Sequence, residues 1–328
     1  MSGRPARLLL HLVLPVAALL IIPVFITSFR GQTQATTAVI YAIVGLGLGL
    51  VYGQLGLLAM SHAGLWGVGA YTAAILMREL DLTFWPAFAG AVVVSLVIGA
   101  VTALPAFRLK GHHLLIVGFI VTELIVVVGQ QWESLTGGIT GIVVTEKPGS
   151  LFGADLASFP GFYYLSVGVL LVLVAFSAWL RHLPLGRRFV AVRENTQLAN
   201  SVGLDDRVLI IAGYALSGIF AGAGGALFAV NLEQIQPDQF GLTAAILLPL
   251  VVMVGGARRL WGPVVGAFIV VVLPEVIGLD PEDAQAVNGL LLIAIILLMP
   301  NGVLGGLGPI RERFTRRGQE EVPVEAAS

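Results

Sequence analysis

Cysteine is missing from all 328 residues, and lysine is reduced to Lys110 and Lys147. The first absence excludes a disulfide framework, thiolate catalysis and any cysteine-ligated zinc or iron–sulfur site. The second leaves no G-x-x-x-x-G-K-[ST] loop, so this chain binds no ATP through a P-loop of its own. Charge of either sign is also scarce. Only 11% of residues are Asp, Glu, Lys or Arg, against about 25% in soluble domains. The net charge of −1 gives no electrostatic reason to expect nucleic acid as a partner. No H-E-x-x-H pair, G-x-S-x-G elbow or magnesium-binding carboxylate cluster occurs. Asp205-Asp206 reads as a solvated loop or a helix start and His112-His113 as an interfacial pair, so no catalytic residue and no metal ligand is expected.

What the chain does contain is apolar length. Hydrophobic residues make up 57%, glycines number 41 and the mean hydropathy is +0.94. That leaves too little polar surface to cover a soluble core. At about 1.5 Å per residue, some 20 apolar residues cross a hydrocarbon layer of about 30 Å. The uncharged runs then predict an all-α polytopic membrane protein of about ten transmembrane helices, near 8–29, 35–52, 60–77, 83–103, 113–131, 160–180, 208–231, 242–257, 262–279 and 285–300. The first run follows Arg4 and Arg7 but is too long for a signal-peptide core and lacks a convincing cleavage site, so it counts as a span. Residues 45–69 hold no charge and eight glycines, namely Gly45, Gly47, Gly49, Gly53, Gly56, Gly64, Gly67 and Gly69, which fits a broken or re-entrant helix.

Basic residues orient the spans, because cytoplasmic loops collect Lys and Arg. With the N-terminus inside, fifteen of the 18 fall on the inner side and only Arg30, Arg78 and Lys147 fall outside. Outer loops collect acids such as Glu79, Asp81, Glu133, Glu146, Asp155, Glu233 and Asp238. Both termini are therefore expected in the cytoplasm. Residues 1–310 read as one transmembrane domain, with a structured outer loop at 131–159 and an arginine-rich inner segment at 181–207 containing a short helix. Residues 311–328 read as a disordered cytoplasmic tail.

Ionisable groups inside spans are costly and mark function. Here they are His62, Glu123 and Glu275, the last near an outer end where it reaches water. Gly45, Gly49 and Gly53, four apart, form a small-residue packing ridge. Gly64, Gly67 and Gly69, after Ser61 and His62, suit either close packing or a broken helix whose free N–H groups meet an anionic substrate group at mid-membrane. These features make Gly53, Gly56, Ser61, His62, Gly64, Gly67, Gly69, Tyr71 and Glu123 the candidate translocation pathway.

Four blocks of residues resemble one family, the membrane-spanning permease subunit of bacterial ABC importers for branched-chain amino acids, of the LivM type. They are Val51-Tyr52-Gly53-Gln54-Leu55-Gly56 through Gly67-Val68-Gly69-Ala70-Tyr71; Glu123 with Trp132-Glu133-Ser134-Leu135-Thr136-Gly137-Gly138; Gly186-Arg187 through Ala191-Val192-Arg193-Glu194-Asn195 to Gly203, followed by Ala221-Gly222-Ala223-Gly224-Gly225; and Leu260-Trp261-Gly262-Pro263 with Leu273-Pro274-Glu275 and Pro300-Asn301-Gly302. The resemblance implies a non-enzymatic transport subunit in the bacterial inner membrane. Its partners would be a second related permease, two ATP-binding subunits that hold ATP and magnesium, and an extracytoplasmic substrate-binding protein. It also implies that Gly186, Arg187, Ala191, Arg193, Glu194, Asn195 and Gly203 belong to the segment that docks on the ATPase. Leu57, Ala59 and Ser61 depart from the family's usual polar or glycine residues, and Arg258 stands where glycine is common. Importers of urea, short amides or another small metabolite remain open as alternatives, as does an ion-coupled carrier working alone.

Overall fold

The computed structural model describes residues 29–109, 111–149 and 155–272, with the short stretches 15–16, 19–21, 289–290 and 302–303. Lys110, Glu275, most of the spans expected at 8–29 and 285–300, the end of 262–279 and the tail 311–328 lie outside the described residues.

The described chain is helical almost throughout. Its helices are α1 (Phe29–Leu50), α2 (Ser61–Glu79), α3 (Phe84–Thr102), α4 (His112–Gln131), the single turn α5 (Glu133–Thr136), α6 (Phe159–His182), α7 (Pro184–Glu194), α8 (Thr196–Ser201), α9 (Asp206–Leu232), α10 (Leu242–Gly255) and α11 (Gly262–Ala267). Among the described residues six helical segments are long and apolar enough to cross a membrane, including Gly31–Leu55, which runs α1 into a π-helical turn at Val51–Leu55, and Pro237–Gly255, which contains α10. The polar starts of helices match their chemistry. Pro184 opens α7 where a missing N–H costs nothing, and the Asp205 carboxylate accepts from the N–H of Arg207 at 2.9 Å to cap α9. Asp205 is thus the helix-start residue its sequence context suggested.

Burial sorts the spans. The best window of Gly31–Leu55 is 83% buried and that of Asp206–Leu232 is 67% buried, whereas His112–Gln131 is only 22% buried. A helix apolar on all sides and buried on all sides belongs at the centre, so α1 and α9 form the core. The outward faces of α3 and α4 carry stripes at four-residue spacing, Val93, Val97 and Val101 on one and Ile116, Ile120 and Leu124 on the other. In hydrocarbon such stripes need no cover.

Small residues set how closely these helices pack. Gly218 and Gly222 of α9 press on the backbone of Ser95 and Ala91 of α3, and a β-carbon on Gly225 would lie 2.6 Å from the Trp66 carbonyl oxygen of α2. Without a hydrophobic drive between helices in lipid, such backbone contact is what holds spans together. The ridge expected on α1 is present too: Gly45 and Gly49 face Pro263, and Gly53 faces the Ala257 backbone.

The segment after α4 holds a short strand, and the partner of that strand lies outside the segment. Strand β1 (Ile142–Val143) pairs antiparallel with β2 (Gln234–Ile235), with Ile142 opposite Ile235. The loop is thereby tied to the chain leaving α9, a partner nearly a hundred residues away that local sequence does not reveal.

Candidate functional site

The glycine-rich stretch is a helix, a hinge and a second helix. After Leu50 the helix widens into the π turn and closes at Gly56, which sits at φ 75° and accepts the left-handed conformation that ends helices. The N–H of Gly56 bonds to the Tyr52 carbonyl at 3.1 Å and that of Leu57 to the Val51 carbonyl at 3.3 Å, pairing otherwise orphaned helix-end acceptors. Helix α2 then begins at Ser61, and its first N–H groups are answered from within the protein. His62 N–H bonds to Ala59 at 3.2 Å, Ala63 N–H to Met60 at 3.4 Å and Gly64 N–H to the Thr122 hydroxyl at 3.3 Å. Those three donors are not free to meet a substrate, contrary to the reading of an open helix start. Ser61 and His62 are buried, and His62 places its Nε2 3.0 Å from the Val44 carbonyl, where it donates across to α1.

A second helix starts inside the protein at the same level. The segment Pro237–Phe240, with a Gln236/Gln239 capping box, leads to Gly241 and then α10. A β-carbon on Gly241 would lie 3.4 Å from Glu123 Oε1, and one on Gly67 would lie 2.9 Å from the Phe240 ring. So the N-termini of α2 and α10 meet α4 on adjoining residues, Thr122 and Glu123. Both ends carry partial positive charge, and the half-buried Glu123 is the carboxylate beside them. Its Oε1 and the Tyr71 hydroxyl are buried without a hydrogen-bond partner among the described residues. Tyr71 stacks edge-on against Phe240 at 6.1 Å, and Gln130 donates to Asp238 at 2.6 Å to fix the loop. Gly69 packs on Gly222 of α9, 2.7 Å from Cα to a β-carbon built there.

Sequence reasoning took α10 for an ordinary span and missed that Phe240 and Gly241 share a layer with Tyr71 and Glu123. The Pro237-Asp238-Gln239 run just before the apolar stretch was the available signal, since proline and a capping box mark an inward turn and a helix start.

The arginine-rich segment 181–207 holds α7 and α8. Gly186 permits α7 to fold directly on the Leu180–Arg181 backbone of α6. Phe189 and Val192 are buried and Ala191 half-buried, while Arg187, Arg188 and Glu194 are exposed. Val190, Leu198 and Val202 are also exposed, at 38%, 63% and 71%. Asn195 caps α8 by accepting from the Leu198 N–H at 2.9 Å, and Gly203 turns the chain towards α9 at φ 86°. Arg193 differs from its arginine neighbours. Its guanidinium donates to the Gly53 carbonyl at 2.5 Å and pairs with Glu194. The Arg193 hydrogen bond and then its charge, with Arg258 nearby, hold the Glu194 carboxyl below the usual carboxylate range. The structure thus draws the pathway candidates into two groups, Gly53 and Gly56 beside Arg193 and Ser61 to Tyr71 with Glu123 around the two helix starts. Among the described residues no cluster of three or more His, Asp or Glu side chains suits a metal ion.

Among the described residues, six helical segments long and apolar enough to cross a membrane, two helices that begin inside the protein and the folded segment 181–207 define an all-α, multi-pass membrane protein. Residues 32–299 match the family described as branched-chain amino acid transport system permease component, and the chain belongs to that family. It is 30% identical over 313 residues to the high-affinity branched-chain amino acid transport system permease protein LivM of Escherichia coli (strain K12), covering 88% of this chain and 73% of that one. It is 24% identical over 297 residues to LivH of Salmonella typhimurium, covering 84% and 94%, and 25% identical over 300 residues to BraD of Pseudomonas aeruginosa, with the same coverage. No solved structure matches.

Proposed function

We propose that this chain is the permease subunit of an ATP-driven importer that carries branched-chain or other hydrophobic amino acids across the bacterial inner membrane. A second, related permease completes the membrane part, two ATP-binding subunits hold ATP and magnesium, and an extracytoplasmic binding protein delivers substrate. Residues 1–310 form one permease domain of ten spans with both termini in the cytoplasm, followed by the tail 311–328. The observation that carries this reading is the inner segment. Val190 on α7, Leu198 on α8 and Val202 in the turn after it expose apolar side chains outside the spans, in a segment that also exposes Arg187, Arg188 and Arg207. Apolar surface on the aqueous side of a membrane protein calls for a protein partner. A permease that lacks a P-loop needs that partner to be its ATPase. Gly186, Arg187, Ala191, Arg193, Glu194, Asn195 and Gly203 shape and present this segment. The pathway runs beside the two internal helix starts, past Ser61, His62, Gly64, Gly67, Gly69, Tyr71 and Glu123, and inward by Gly53 and Gly56. Closure of the ATPases moves the inner segment and reorients these helices.

The test is reconstitution of the purified assembly in liposomes with radiolabelled leucine. Uptake is expected to require ATP and the binding protein, and Leu198→Glu is expected to remove the ATPase subunits from the purified complex. Leucine uptake by this chain alone, driven by a sodium or proton gradient, overturns the reading in favour of an ion-coupled carrier.

A further inference from the structure

Among the described residues two apolar clusters are present. The larger joins the spans. The smaller consists of Leu50, Leu55, Leu180, Phe189, Val192, Ala199 and Leu209. It therefore unites the inner segment (Phe189, Val192, Ala199) with the last turn of α1 and its π extension (Leu50, Leu55). The residue that bonds the two parts is Arg193. Its Nη1 donates to the Gly53 carbonyl, one of the acceptors a helix end leaves unpaired. Its stem covers Gly56, whose would-be β-carbon lies 2.6 Å from Arg193 Cγ and 3.6 Å from Arg193 Cβ. The side chain is only 18% exposed. Between Gly53 and Gly56, Gln54 is 5% exposed and neither atom of its amide has a partner among the described residues. Beyond Gly56 the chain turns into α2, whose first residues abut Thr122.

We infer that Arg193 is a positioning residue for transport. It clamps the inner segment to the Val51–Gly56 hinge so that the two move as one body, and the hinge passes that displacement to α2. Arg193 therefore acts inside this chain and not as a docking contact for the ATPase. The π turn suits this role, because a helix with one residue too many can shift register with little loss of hydrogen bonding. This inference rests on the proposed ATP-driven reading, since a clamp has meaning only if the inner segment is moved from outside.

The experiment uses the full assembly in liposomes, with leucine as the probe. In Arg193→Gln the ATPase subunits should still copurify and ATP should still be hydrolysed, while leucine taken up per ATP falls tenfold or more. Loss of the ATPase subunits from Arg193→Gln overturns the inference, because it makes Arg193 a docking residue. A parallel fall of hydrolysis, uptake and thermal stability overturns it too, as a purely structural role would produce. The second arm exploits the absence of native cysteine. The 3.6 Å separation between the β-carbon positions at 56 and 193 lies in the range that a disulfide spans. In the double variant Gly56→Cys/Arg193→Cys, oxidation should restore uptake relative to the same protein after reduction. Uptake that is equal or lower when oxidised shows that the contact must open during transport and ends the one-body claim. Failure of the underlying reading is separate and visible in wild type, as uptake indifferent to ATP.

Discussion

Thr122 holds the start of α2 from both sides of its own hydroxyl. Its Oγ1 donates to the Met60 carbonyl at 2.9 Å and accepts from the Gly64 N–H at 3.3 Å. One side chain on α4 thereby pairs the Gly64 N–H that the broken helix leaves open and adds a second donor to the Met60 carbonyl, which also accepts from the Ala63 N–H.

Thr122→Val keeps the shape and removes both bonds. The buried Gly64 N–H loses its partner while the Met60 carbonyl keeps the Ala63 N–H, so we expect a loss of about 1–3 kcal/mol. A lower melting temperature in detergent should report it, and Thr122→Ser should recover most of the difference. Equal melting of Val and wild type would mean that Gly64 finds another acceptor.

Gly225→Ala puts a methyl group 2.6 Å from the Trp66 carbonyl oxygen, a backbone atom that cannot swing aside. Overpacking of this kind costs about 1–3 kcal/mol. Gly168 of α6 has nothing within 4 Å of the same position. Gly168→Ala should be neutral or stabilise by up to about 1 kcal/mol through helix propensity. Chemical denaturation in mixed micelles distinguishes the two.

Asn195→Ala removes the cap of α8. The expected cost is about 1 kcal/mol, felt locally. Hydrogen exchange at the Leu198 amide should accelerate while exchange in α9 stays unchanged. Asn195→Asp, which keeps an acceptor, should retain most of the protection.

Glu194 should titrate below the ordinary carboxylate range. Its folded value is depressed by the Arg193 hydrogen bond first, then by the charges of Arg193 and Arg258. Its contribution is accordingly complete above the ordinary carboxylate value and is lost as pH falls through the depressed one. Carbon NMR of a labelled Glu194 side chain checks the direction, and Arg193→Gln should move the titration upward. A carboxyl that titrates at the ordinary value in wild type would remove Arg193 as its partner.

Much of this fold was legible because a membrane reduces the problem to few variables. The expected spans 83–103, 113–131, 160–180 and 208–231 coincide with α3, α4, α6 and α9 to within two residues at each end, since charge and length alone bound an apolar helix. The break near 45–69 was also readable, because only glycine-rich sequence permits it. The partners of that break were not. Nothing local links Thr122 to Gly64, Phe240 to Gly67 or Arg193 to Gly53, each pair being far apart in sequence.

By itself the sequence determined the solvent. Its scarcity of charge and its long apolar runs admit only a lipid-embedded helical protein, because backbone groups in hydrocarbon must pair within their own helix. The tertiary structure decided which of those helices are interior, that two of them begin beside Thr122 and Glu123, and that one arginine of the inner segment is turned inward to the hinge. These outcomes depend on contacts between helices, and several helices can present equally apolar faces. Close approach at Gly218, Gly222 and Gly225 selects one arrangement, and no periodicity in a single helix can express it.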